Sequence, residues 1–167
     1  QSLAGLDASR MGALTATQLP RISLPQLAAL SPEQISWIDA QSISSLIASQ
    51  IIGLTTSQVR SLTSSEVSQL SANQIWSMGT SKISALQTSQ ISALTTTQTA
   101  YLTNAQAGTL SSAQVGALTT DQIVSLRNAQ VSSISTRAIV GLNTQQVAAL
   151  SFAQVGVLTT GQVRALT

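Results

Sequence analysis

Large aliphatic side chains recur every eight residues along this chain. Counting from Leu6, through Leu14, Ile22, Leu30 and Ile38 to Leu166, all 21 positions of this column hold Leu, Ile or Met, and no insertion or deletion shifts the phase. A second apolar column follows five positions behind each of these residues. It includes Ile35, Ile51, Val59, Ile91, Ile123 and Val163, and among 20 complete octads only Thr99 and Ala107 interrupt it. The polar positions are ordered too. Position two is Ser, Thr, Asp or Asn in 16 of 20 octads, and position five is Gln in 15 of 20. The remaining positions are mostly Ser, Thr, Ala and Gly.

This unit, Leu-Thr-x-x-Gln-Val-x-x, is a helix-start signal. A Ser or Thr followed three residues later by Gln forms a capping box, and the apolar residues on either side form a hydrophobic staple. Leu30-Ser31-Pro32-Glu33-Gln34-Ile35 is the clearest case, with Pro32 at the first helical position and Glu33 in the first turn, where each is favourable. From position six to the next position one is a three-residue step, which places both on one helical face. The following residue is again a cap, so each helix lasts about five to seven residues before the chain turns. A continuous helix would drift by roughly 80° per octad and keep no fixed apolar face. Helices this short are unstable alone and persist only by packing on their neighbours. The fold expected is therefore an all-α solenoid of very short capped helices, one per octad.

A β-solenoid is the alternative, because position six is largely β-branched and Thr is abundant. Spacing argues against it: strand side chains alternate, so positions six and nine would face opposite sides. The nine Gly residues also keep no single octad position. The expected organisation is one continuous array over residues 1–167, with full octads spanning 6–165 and no second domain. Octads beginning at Leu6, Ile38, Met78 and Ile134 depart from the pattern, with Arg10, Ser42, Lys82 and Ala138 at the Gln position. They read as adjustments of the superhelix. Both ends fall within an octad. The expectation is either an excerpt of a longer array or ends covered by neighbouring molecules.

Composition narrows the chemistry. Charged residues make up 7% of the chain and aromatic residues 2%, while hydrophobic residues reach 43%, which separates it from disordered sequences. The seven basic residues, Arg10, Arg21, Arg60, Lys82, Arg127, Arg137 and Arg164, are scattered singly. They form no basic stripe, so no nucleic-acid partner is expected. No apolar run approaches the roughly 20 residues that span a bilayer, so no membrane insertion is expected. Cys and His are absent, which removes disulfides, thiolate nucleophiles and the commonest transition-metal ligands. The carboxylates are Asp7, Glu33, Asp39, Glu66 and Asp121, and Asp7 and Asp39 fall at cap positions. No phosphate loop or nucleophile elbow is present. Neither enzymatic activity nor a cofactor is expected. The Gln column reads as helix capping rather than a ligand-binding ladder. Trp37, Trp76, Tyr101 and Phe152 lie outside both apolar columns and are the candidate interaction residues, since aromatic groups anchor interfaces.

Units such as Leu118-Thr119-Thr120-Asp121-Gln122-Ile123 resemble the octad arrays of very large bacterial exported proteins of the adhesin-like, or haem-utilisation-or-adhesion, type. The resemblance covers the whole chain. It implies a secreted or cell-surface location and a structural or adhesive role as stalk, scaffold or filament. The partners it leaves open are the chain itself in head-to-tail assembly, flanking octads of a longer chain, and a surface or glycan ligand. It does not imply haem binding here, since His and Cys are missing and Met11 and Met78 sit on core columns. Leu30 to Ile35 also looks like the opening of a TAL-effector repeat, but that family's 34-residue unit with its base-reading loop is absent. The alternative function is ice or surface binding through regular hydroxyls such as Thr80, Thr88, Thr96 and Thr120.

Overall fold

The capping signals mark where most of the helices start. In a computed structural model, which describes residues 3–166, the described residues form nineteen α-helices of four to seven residues and two 3-10 helices, with no strand. The expected opening residues Gln1 and Ser2, and Thr167 at the far end, lie outside the described residues. Thr55, Thr95, Thr119 and Ser151 each accept the backbone N–H of the Gln three residues on, and that Gln's Oε1 accepts the cap residue's own N–H. The Gln half of the box needs no hydroxyl: Gln50 still accepts from Ile47 N at 3.0 Å and Gln130 from Arg127 N at 2.6 Å.

The helices coil into a superhelix. Each packs on the helix three octads further along, as Pro32–Ser36 does on Thr56–Ser61 and Ala72–Ser77 on Thr96–Tyr101. Contacts between successive turns join residues 25 to 31 apart, so a turn holds between three and four octads. Both apolar columns point inward. Position one is buried in every octad from Leu30 to Ile134, and position six from Met11 to Ile139, including Thr99 and Ala107. Thr99 manages this by donating its hydroxyl to the Thr95 carbonyl at 3.0 Å. The core is thus one continuous apolar thread. It opens only at the ends, where Leu6, Leu14 and Ile22 are half-buried and Val147, Val155 and Val163 are exposed.

The Gln column does more than cap. From Gln34 onward, each position-five Gln turns its Nε2 toward the preceding superhelical turn and donates to the position-one carbonyl 28 residues earlier at 2.5–3.0 Å. In most cases the same Nε2 also meets a carbonyl 31 residues earlier, as Gln58 meets both Leu30 O and Leu27 O at 2.8 Å. Gln50, Gln90 and Gln130 are almost completely buried in doing so. A buried carbonyl left unpaired is costly, and these side chains meet that demand between turns. Capping alone, the role expected from sequence, is therefore half of what the column does. The other half fastens each turn to the one before it.

Departures from the pattern have local causes. The octad at Leu14 forms only a 3-10 helix, Leu19–Arg21, instead of the expected α-helix. Pro20 has no N–H to donate, and its ring would clash with the carbonyl four residues earlier in an α-helix. The two four-residue helices, Ala40–Ile43 and Thr136–Ile139, carry Ser42 and Ala138 in place of Gln. After the second of these, backbone meets backbone between turns: a Cβ on Gly141 would lie 2.0 Å from Ser112 O. Glycine is required there because of the close approach, not because of an unusual φ.

Candidate functional site

Three residues that depart from the octad pattern meet on one side of the superhelix. Position seven, eight and two residues are normally small or hydroxylated, yet these places hold Trp76, Tyr101 and Arg127. Trp76 and Tyr101 are 25 residues apart, and Arg127 is 26 beyond Tyr101. Those intervals match the superhelical turn, so the three stack across successive turns and line, with Asn73 and Ala100, a cleft of about 600 Å³. That volume is within the range of small-molecule sites.

Each element contributes in a definable way. Trp76 lies near the end of the helix Ala72–Ser77 and Tyr101 closes the helix Thr96–Tyr101, two helices that pack directly on each other. The two residues stay 58% and 49% exposed, because the core column residues beside them, Ile75 and Leu102, take the inward places. Arg127 occupies the cap of Asn128–Ser133 without supplying a side-chain cap. Its Nη2 instead donates to Leu102 O at 2.8 Å, an oxygen that Gln130 Nε2 also reaches at 2.6 Å. The guanidinium is held at the cleft by one of its five N–H groups. None of the cleft-lining side chains is acidic.

Of the four aromatic candidates, the structure brings Trp76 and Tyr101 together and leaves the others apart. Trp37 is the C-cap of Pro32–Ser36 and is 40% exposed. Phe152 opens the helix Phe152–Gly156 with 97% of its surface in solvent. Sequence reasoning missed Asn73 and Arg127. Arg127 lies 26 residues beyond Tyr101 and Asn73 one helical turn before Trp76, a grouping visible only once the number of octads per turn is known.

Glu66 is a second feature without a sequence forecast. It occupies the Gln position of the octad at Leu62 and is 2% exposed. Its Oε2 accepts the Thr63 N–H at 2.5 Å, as a Gln Oε1 would, while Oε1 is buried without a hydrogen-bond partner. By the register of its neighbours, Oε1 stands where Nε2 would face the carbonyls of Ile35 and Ile38. An acceptor there faces acceptors. Burial pushes the Glu66 carboxyl above the usual glutamate range, against the opposing pull of the Thr63 hydrogen bonds, and Asp39 adds a smaller upward push.

Among the described residues no three of Asp, Glu, His or Cys gather as a metal site, and no helix is long and apolar enough to cross a membrane. Compared with known protein families, residues 131–167 match the model described as the ALTTAQ repeat. The matched segment is a run of the same octads found throughout the chain, and it supports a repeat-array protein. A search of curated proteins finds no match.

Proposed function

We propose that this chain is a structural scaffold, a stalk or filament segment within an adhesin-like protein that is secreted or displayed on a bacterial surface. The observation that carries the reading is the Gln tie. From Gln34 onward each turn with a Gln is fastened to the preceding turn by the same bonds, so the array can be lengthened without redesigning the unit. Most of the buried polar side chains are the Gln residues that make this fastening. Acid–base pairs that could work together in catalysis are missing from the cleft, which favours a non-catalytic role.

The partners that fit are further turns of the same kind. Among the described residues, Val147, Val155 and Val163 stand exposed at one end, and at the other the Nε2 groups of Gln18 and Gln26 carry no inter-turn tie. One face is therefore complementary to the other, and a head-to-tail contact of that form propagates without closing. Flanking octads of the same polypeptide would make the identical contact. Ice binding is the weaker reading: Thr88 and Thr96 belong to consecutive octads, and with three to four octads per turn they face different sides, not one flat row.

Immunolabelling of intact cells, with and without external protease, tests the location. Labelling that external protease removes supports display, and protection until lysis refutes it. Sedimentation and electron microscopy test assembly, with rods lengthening as concentration rises. A chain that stays monomeric at high concentration refutes self-assembly.

A further inference from the structure

We infer that the cleft between Trp76, Tyr101 and Arg127 is a binding site for an acidic oligosaccharide, a pyranose chain bearing carboxylate groups. The inference deepens the adhesive half of the proposed function and rests on it for its biological setting, though not for its chemistry.

Three observations converge. The first is the cost of the arrangement. Position two is the cap, and replacing a Ser or Thr cap typically loses about 0.5–2 kcal/mol. Arg127 takes that place without capping, and its side chain turns to the cleft. One of its N–H groups ties it to Leu102 O of the preceding turn, and the rest of the guanidinium is left at the one place where two large aromatic side chains line the same cleft. The second is the pair of rings. Trp76 and Tyr101 are about half exposed in a chain with only four aromatic residues. They have large apolar faces and polar edges, suited to the C–H face of a sugar ring whose hydroxyls remain free for Asn73. The third is charge. The cleft has a guanidinium with four unused N–H groups and no acidic lining, and such a fork pairs with carboxylate in a bidentate manner.

Single-stranded nucleic acid also stacks on aromatic rings, but its backbone needs a basic track. Here the seven cations are scattered over the whole chain and the net charge is +2. A neutral sugar would leave the four remaining N–H groups of Arg127 without a charged partner. An acidic sugar uses every group the cleft offers.

Fluorescence titration tests this. In a Trp37→Phe background Trp76 is the remaining tryptophan, and its emission should respond saturably to trigalacturonic acid. Maltotriose, lacking carboxylates, should bind at least tenfold more weakly. By calorimetry, Trp76→Ala should weaken trigalacturonate binding at least tenfold, and Arg127→Gln should abolish the preference over maltotriose. Circular dichroism checks that both variants keep their helices, and Tyr101→Phe, which retains the ring, should bind within about threefold of the parent. No saturable response to trigalacturonate overturns the inference. So does binding that survives Trp76→Ala, equal binding of maltotriose, or tighter binding of oligo-dT. These outcomes leave the scaffold reading intact, whereas protection from external protease would refute surface display without touching binding in vitro.

Discussion

Replacing Glu66 by Gln should stabilise the protein, and more strongly at neutral pH than at pH 4. At present Glu66 supplies half of the Gln function: Oε2 accepts from Thr63 while Oε1 is buried and unpartnered. Gln would place an Nε2 toward the carbonyls of Ile35 and Ile38, the pair 31 and 28 residues earlier, as Gln58 and Gln98 do with theirs. Two recovered hydrogen bonds at a net of about 0.5–1.5 kcal/mol each give roughly 1–3 kcal/mol. The sign of the pH effect follows from the raised pKa of Glu66. The folded state holds the proton more tightly than the unfolded chain does. Glu66 therefore destabilises least below the ordinary glutamate value of about 4.3. Stability then falls as pH rises from there through the raised folded value and levels off above it. Gln at this position does not titrate, so the variant lacks that slope. Urea and thermal unfolding followed by circular dichroism at pH 4 and pH 7 measure both effects, with an expected gain of about 2–4 °C per kcal/mol for a chain of this size. Repeat arrays unfold in segments, so hydrogen exchange across Ser64–Gln69 provides the local reading. The argument fails if Glu66→Gln is no more stable than the parent at pH 7, or if its advantage is as large at pH 4.

Other substitutions separate the roles of the columns. Gln122→Ala, which removes a cap acceptor and the ties to Leu94 and Ile91, should cost roughly 2–4 kcal/mol in unfolding experiments. Leu94→Ala or Leu118→Ala should cost roughly 2–5 kcal/mol, since both are buried in the apolar thread, whereas the exposed Thr96→Ala should stay within about 0.5 kcal/mol; equal effects would show that the octad columns are not the core. Gly141→Ala should be among the most damaging single changes, because its Cβ would lie 2.0 Å from Ser112 O; a melting curve unchanged from the parent would refute that close approach.

The local structure was legible in the sequence because the unit states its helix start in four residues. Ser31, Gln34 and Ile35 cap and staple as their order implies, and the eight-residue phase fixed both buried columns. What could not be read was the number of octads per turn. Nothing local to Gln58 shows that its amide will meet Leu27 and Leu30, because that depends on how a whole turn closes. The cleft was illegible for the same reason. Trp76 and Tyr101 stood out singly, but their meeting depends on an interval of 25 residues that no single octad contains. Glu66 escaped notice because Glu satisfies the capping half of the position as well as Gln does, and only the tie to the turn below tells them apart.

The Gln ties all run in one direction. The donor belongs to the later turn and the acceptors to the earlier one, never more than 31 residues behind. A chain emerging from the ribosome, amino end first, therefore brings each new set of donors to acceptors already folded. No finished turn waits on a distant segment to complete it, and the short separations favour rapid folding. The assembly is vectorial: the growing end is always the face of bare valines and open carbonyls, and each added turn covers it while presenting the next.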